Sequence, residues 1–204
     1  MYSSAERKRI NASAERNRDP ILQVLKDTIP LDTPVRALEI ASGSGTHVGY
    51  LAEHLPNVTW QPSDFDSKNL PSLAAYKKEH SNILDPVVID VSEHINLDAT
   101  NFDFILNINM IHISPWTATL GLFSNAGQVL KLGGMLITYG PYSLDGVLEP
   151  ESNQNFDQSL RGRNKDWGIR DIRDLEGEAA REGLELNRVV DMPANNKMLI
   201  FKRL

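Results

Sequence analysis

Val35-Arg-Ala-Leu-Glu-Ile-Ala-Ser-Gly-Ser-Gly-Thr46 is the stretch on which the fold turns. A short apolar run carries one acid, Glu39; two glycines spaced by one residue follow, Gly43 and Gly45, and then a helix-like pattern. This order reads as a buried strand turning sharply into a helix. The loop between them admits a ligand closely, because glycine has no Cβ and tolerates positive φ. Such loops hold nucleotide-like ligands at the carboxyl edge of an open α/β sheet. A dinucleotide fingerprint would need a further glycine three residues on, seating a pyrophosphate on the helix N-terminus; that position is Val48. Glu39 would also repel a pyrophosphate. It suits a ligand carrying an ammonium group.

Outward from that loop, Asp19-Pro20 reads as the capped first turn of a helix with the apolar face Ile21, Leu22, Val24 and Leu25. Residues 1–18 before it read as a polar segment. Pro30 and Pro34 close that helix and lead into a strand at 35–40. Further strands are expected at 58–62, 86–89, 102–108 and 135–139, with helices at 46–55, 67–80 and 115–130 between them. Alternation on short links implies a parallel sheet with helices on both faces, its topology narrowed by right-handed crossovers. Residues 140–172 show no clear period and read as an irregular insertion over the ligand edge. A helix at 171–182 precedes strands at 184–190 and 197–202, whose hairpin-type link at 191–196 reverses the last strand. The expectation is one α/β domain over 1–204, doubly wound in three layers, with a mostly parallel seven-stranded sheet and one antiparallel strand.

A chain of 204 residues suffices for one domain with a sizeable core. It contains no cysteine, which excludes disulfides, thiolate nucleophiles and cysteine-type zinc sites; no metal is expected. The longest apolar run, 102–113, is broken by Asp103, Asn107, Asn109 and His112 and is too short to cross a bilayer. The N-terminus has no signal-peptide core, so a cytoplasmic protein is expected, without a membrane partner. A net charge of −6 argues against a broad nucleic-acid surface. Basic clusters at Arg7, Lys8, Arg9, Arg16 and Arg18, and at Arg161, Arg163 and Lys165, read first as solvated faces. The second could instead meet an anionic small substrate.

Parallel strands finish at one edge, where their last residues gather. Asp64 can accept hydrogen bonds from both hydroxyls of a ribose, or cap the helix after it. Asp90 can accept from an adenine amino group with Val91 on the ring, or close a turn. Phe65 can lie on the adenine face or fill core. Asn107, Asn109 and His112 leave the fourth strand, where buried polar groups need partners. Tyr139 and Tyr142 leave the fifth beside the turn holding Asn195 and Asn196, which turn chemistry alone explains equally well. With the insertion they are expected to surround one acceptor pocket.

Glu39-x-Ala-Ser42-Gly43-Ser-Gly45 resembles the first motif of class I S-adenosylmethionine-dependent methyltransferases, with Ala41 where that pattern usually has its first glycine. Asn109-Met-Ile-His112 resembles their fourth motif, with Ile113 replacing a second histidine. Ile113-Ser-Pro-Trp116 is not the Asn-Pro-Pro-Tyr of amino-group methylases acting on nucleic acid. Longer segments are similar to the methyltransferase-like 26 group. They are Ala14-Glu-Arg-Asn17-x-Asp-Pro-Ile21, Trp60-Gln-Pro-Ser-Asp64, Asn107-Ile-Asn-Met110, Ile137-Thr-Tyr-Gly-Pro-Tyr142, Ser152-Asn153, Phe156-Asp157, Arg163-Asn164-x-x-Trp167-Gly-x-Arg-Asp171 and Asp191-Met-Pro-Ala-Asn-Asn196. The resemblance spans nearly the whole chain after the first dozen residues. It implies a Rossmann-like class I fold with S-adenosylmethionine as cofactor and S-adenosylhomocysteine as product; it brings no substrate. Glu39, Ser42, Gly43, Gly45, Asp64, Phe65, Asp90, Val91 and Asn107 are then expected to hold the cofactor. His112 is the first candidate base, Tyr139 or Tyr142 the second. Asn109, Arg161, Arg163, Trp167, Arg170, Asn195 and Asn196 are expected to face a small-molecule acceptor. A non-catalytic binding module on the same fold is the alternative, and a nicotinamide oxidoreductase is disfavoured by Val48 and Glu39.

Overall fold

β1 (Val35–Ile40) buries every residue but Arg36, the pattern of a strand covered on both faces. It belongs to the first of two compact units, residues 1–89 and 90–204, in a computed structural model that describes residues 7–95, 97 and 101–204. β2 (Val58–Asp64) pairs parallel with β1 from Val35↔Val58 to Glu39↔Pro62. The short β3 (Val87–Val88) pairs parallel with Ser63 and Asp64. α2 (Thr46–His54) starts straight after Gly45 and buries Val48, Leu51 and Ala52. A 3-10 turn at Ser67–Asn69 leads into α3 (Leu70–Lys77), which buries Leu73 and Tyr76.

The first helix departs from the sequence expectation. α1 spans Ala12–Lys26, with Pro20 inside it rather than at its start. Asn11 is the cap: its side-chain oxygen accepts from the backbone N–H groups of Ser13 and Ala14. Among residues 12–18 only Ala14 is buried, so no apolar stripe announces these turns. Residues 1–6 of the expected polar segment lie outside the described residues.

In the second unit β4 (Phe102–Ile108) and β5 (Leu130–Gly140) pair parallel, with a register shift between Phe102 and Phe104. α4 (Trp116–Val129) connects them. β9 (Asn196–Arg203) lies between β5 and β8 (Leu184–Met192) and is antiparallel to both. It is the expected reversed strand. Pairing of Gly140 with Lys197 sets the turn at 193–195 beside the end of β5, as the sequence implied. The strand order is β3-β2-β1 in the first unit and β4-β5-β9-β8 in the second, seven strands of a mostly parallel sheet.

Residues 140–172 are not irregular. They hold β6 (Tyr142–Ser143), α5 (Glu151–Arg163) and β7 (Arg170–Asp171), the two strands pairing parallel. α5 buries only Asn153 and Leu160, which leaves no helical period for a sequence pattern to reveal. α6 (Ile172–Arg181) begins where expected, with Asp171 accepting from the Arg173 N–H. No helix among the described residues is long and apolar enough to cross a membrane.

Candidate functional site

β1 ends at Ile40, and the chain reverses through three left-handed residues, Ala41 (φ 60°), Gly43 (φ 58°) and Gly45 (φ 88°). Ala41 thus takes a left-handed conformation that favours glycine. A Cβ at Gly45 would lie 2.8 Å from Tyr76 Cδ2 and 2.9 Å from Leu73 Cδ2, whereas one at Gly43 would meet nothing within 4 Å. The loop is therefore packed hard on one side and open at Gly43.

Two serines rivet the strand ends. Ser42 N donates to Ser63 O (2.8 Å), Ser63 N to Ser42 Oγ (3.2 Å) and Ser63 Oγ to Glu39 O (2.7 Å). Asp64, 7% exposed, accepts from Gly43 N at Oδ2 (2.7 Å) and from Asp66 N (2.9 Å) and Asn69 Nδ2 (2.8 Å) at Oδ1. Its carboxylate both shapes the glycine loop and caps the following turn. Phe65 is 69% exposed, so it is no core aromatic.

Glu39 is 2% exposed, and its Oε2 is buried without a hydrogen-bond partner. Burial pushes the carboxyl from 4.5 to about 7; the Ser42 hydroxyl pulls it down and the charge of Asp64 adds a smaller push upward. A buried acceptor left unpaired is costly.

The second unit presents its own polar cluster. His112 is 4% exposed, its ring edge-on to Phe156 with centroids 5.6 Å apart. A Cβ on Gly140 would sit 3.1 Å from His112 Nδ1 and 3.7 Å from Asn109 Oδ1. The His112 carbonyl accepts from Gly168 N (3.0 Å), tying the loop before β7 to the exit of β4. Asn109, at φ 60°, donates its N–H to Tyr139 O (2.9 Å). Burial, and then the charge of Arg170, pull His112 from 6.5 to about 4, so its imidazole is neutral at pH 7.

Other expected residues are placed differently. Tyr142 is unsuited to act as a base: it is buried and its hydroxyl donates to Thr138 Oγ1 (2.9 Å), while burial pushes its ionisation well upward. Tyr139 is also buried. Asp90 closes an Asx turn, Oδ1 accepting from Ser92 N (2.9 Å) and Ser92 Oγ (2.6 Å). Val91 is buried and its carbonyl accepts from Asn125. Asn107, also buried, directs Nδ2 to Met110 Sδ (3.5 Å). Asn196 Nδ2 bonds within its own turn, to Pro193 O (3.1 Å) and Ala194 O (3.3 Å), and Asn195 O accepts from Asn153 Nδ2 (3.3 Å). Arg170 Nη2 donates to Ser114 O (3.0 Å) and Asp166 O (2.7 Å), with its guanidinium 5.6 Å from the Trp116 ring. Arg161 is exposed and paired with Asp157 (2.7 Å), and Arg163 is exposed over Trp167. The structure gathers His112, Asn109, Gly140 and Phe156, and sets the Arg161 guanidinium against Gly168, whose N–H bonds the His112 carbonyl. Sequence reasoning assigned no role to Asn69, which nothing but its position in the fold marks; Gly140 and Phe156 entered it only within segments of the family resemblance, without a role. Among the described residues no group of three or more His, Asp or Glu could hold a metal ion.

A family model described as "Protein of unknown function (DUF938)" matches residues 8–203. Solved methyltransferases share the fold. An O-methyltransferase family protein from Burkholderia thailandensis superposes with a TM-score of 0.76 at 16% identity, over 91% of this chain and 55% of that one. CalO1, a methyltransferase in calicheamicin biosynthesis solved in its SAH-bound form, gives 0.73 at 14% identity, over 94% and 54%. An O-methyltransferase family 2 protein from Planctomyces limnophilus, solved in complex with apigenin, gives 0.70 at 16%, over 92% and 62%. This chain therefore spans little more than half the length of each. At such identities the likeness is one of fold, the Rossmann-like fold of class I methyltransferases.

Proposed function

We propose, from the premise that this chain belongs to the DUF938 family, that it is an S-adenosylmethionine-dependent methyltransferase of the methyltransferase-like 26 kind, acting on a small-molecule acceptor. The observation that carries this reading is the buried, unpartnered carboxylate oxygen of Glu39, next to a loop that is open at Gly43. The ammonium group at the cofactor's methionine end has the charge and donors to satisfy it. Asp64 would hold the ribose, and the exposed ring of Phe65 offers an apolar face to adenine. The SAH-bound neighbour supports the choice of ligand for this fold.

When bound, S-adenosylmethionine supplies a methyl group on a sulfonium that is already a good leaving group. The chain's own task is then to position an acceptor, which can supply roughly 7–11 kcal/mol of the barrier. His112, neutral at pH 7, can take a proton from the attacking atom. Because burial disfavours its charged form, it suits an acceptor that ionises readily or needs no base, such as a thiol or an acidic hydroxyl. Asn109 and Phe156 add an amide and an apolar edge to that environment.

Calorimetry with S-adenosylhomocysteine tests the reading. Micromolar binding is expected, and Asp64→Ala should weaken it about ten-fold or more, as lost hydrogen bonds to a charged group do. Absence of binding to the wild-type protein would sink the cofactor assignment. Transfer of a tritiated methyl group into a metabolite extract, with mass identification of the labelled product, then names the acceptor.

A further inference from the structure

We propose that Arg9 and Asn69 are positioning residues that orient Asp64 so that it grips one ribose hydroxyl of the cofactor rather than two. The inference rests on the cofactor reading above and adds to it.

A carboxylate offers about four acceptor positions, two on each oxygen. In Asp64 both positions of Oδ1 are filled, by Asp66 N and Asn69 Nδ2, and one position of Oδ2 is filled by Gly43 N. One remains, on Oδ2. Two of the three donors are backbone N–H groups fixed by the loop and turn. The third is a side-chain amide held in turn from elsewhere: the Arg9 guanidinium donates to Asn69 Oδ1. That bond orders the amide with its nitrogen toward Asp64.

Arg9 is itself held by a strap of residues 8–11 laid across the glycine loop and α3. Arg9 N donates to Ser72 Oγ (2.9 Å), and Ser72 Oγ donates to Ser44 O (2.6 Å). Asn11 N donates to Thr46 Oγ1 (3.0 Å), which in turn meets Ser44 Oγ (2.8 Å). Lys8 pairs with Glu79 and lies 4.6 Å from the Tyr76 ring centroid. The strap thus fixes the start of a relay, Arg9 to Asn69 to Asp64, whose end is the plane of the carboxylate. A ribose diol carries two donors and finds one vacant acceptor there.

Calorimetry with S-adenosylhomocysteine and its 2′-deoxy and 3′-deoxy analogues, in double-mutant cycles against Asp64→Ala, reads this directly. Only one of the two hydroxyls should be coupled to Asp64, its removal costing about ten-fold in affinity where Asp64 is present and little where it is absent. In Asn69→Ala an Oδ1 position is freed, so the second hydroxyl should become coupled as well. In Arg9→Ala, an exposed side chain whose loss the fold should tolerate, the second hydroxyl should gain part of that coupling. A purely structural role would lower affinity for all three ligands alike. Equal coupling of both hydroxyls in the wild-type background would overturn the proposal, as would relay variants that leave the pattern unmoved. Failure of the wild-type protein to bind S-adenosylhomocysteine, or an Asp64→Ala variant that binds it normally, would instead overturn the cofactor reading.

Discussion

The glycine loop of the first unit and the α5 insertion of the second are built on opposite plans. In the loop the serines and Asp64 bond to backbone groups of neighbouring strand ends, and Ser42, Thr46, Ser63 and Asp64 are themselves buried. α5 contributes two buried side chains, Asn153 and Leu160, and is tied down by polar contacts such as Asp157 Oδ1 accepting from Ile169 N (2.7 Å). Segments with few buried apolar contacts open at lower free energy than the elements around them. The contrast implies a firmly set cradle in the first unit and, in the second, an insertion that gives way more easily.

Matched glycines in the two regions break or sharpen that contrast most strongly. Gly49 lies in α2, where a Cβ would fall 2.1 Å from Tyr76 Cδ1 and 2.5 Å from Cε1. The Tyr76 ring is buried and cannot step aside without repacking. Gly49→Ala should therefore destabilise the protein by about 3 kcal/mol. In α5, a Cβ at Gly162 meets nothing within 4 Å, and Gly162→Ala should stabilise by up to about 1 kcal/mol through helix propensity. Urea unfolding of the two variants checks both signs; equal effects would mean that the regions are packed alike.

Glu39 gives the next effect, of nearly the same size. Its folded carboxyl is raised from 4.5 to about 7, so the native state binds this proton more tightly than the unfolded chain does. The associated stability is fully present below pH 4.5 and is lost as pH rises through about 7, a change on the order of 3 kcal/mol. Glu39→Gln should remove that loss, leaving the variant more stable than the parent at pH 8. Ligand binding should run the other way. An ammonium needs the ionised carboxylate, so S-adenosylhomocysteine affinity should fall as pH drops below 7 in the wild type and stay flat in Glu39→Gln. Calorimetry from pH 5.5 to 8 measures it, and a flat wild-type profile would remove Glu39 from the ligand's surroundings.

A smaller effect is expected in the insertion. Asn153 Nδ2 donates to Glu149 O (3.1 Å) and Asn195 O (3.3 Å), linking α5 to the turn before β9. Asn153→Ala should raise amide exchange in α5 by about five-fold, equivalent to roughly 1 kcal/mol of local opening. S-adenosylhomocysteine affinity should stay within about two-fold of wild type. A change in affinity matching the change in exchange would join the two regions into one cooperative element.

The same contrast explains what could be read from the chain. β1, the loop, α2 and β4 carry continuous apolar runs and glycines at sharp turns, and each lies where the pattern put it. The burial of Glu39 and Asp64 was legible because each acid lies in or at the end of a strand whose neighbours are apolar. α5 was opaque because its face carries one apolar and one amide residue where a core-facing helix would carry a stripe. The start of α1 hid behind Asp19-Pro20, a good helix opening that the earlier Asn11 cap pre-empts. Tyr142 looked like an exit residue of β5, yet its hydroxyl turns back on Thr138; sequence position fixes a residue's place at the edge but not the direction of its tip. Asn69 had no signature at all, since its bonds to Asp64 and to Arg9, sixty residues away, exist only in the folded chain.

Ala41 yields the smallest expected effect and bears on the loop itself. An L-residue at φ 60° is strained by its Cβ against the backbone, by about 1 kcal/mol relative to glycine. Glycine would relieve that strain but adds freedom to the unfolded chain, which returns part of the gain. Ala41→Gly should therefore stabilise by no more than about 1 kcal/mol, seen as a small rise in the urea midpoint at unchanged slope. Its influence on the ligand should be similarly slight if the loop is already held by Asp64 and the paired serines. A substantial gain in S-adenosylhomocysteine affinity would instead mean that alanine keeps the loop away from its ligand-ready shape, and that the cradle is less preformed than its hydrogen bonds imply.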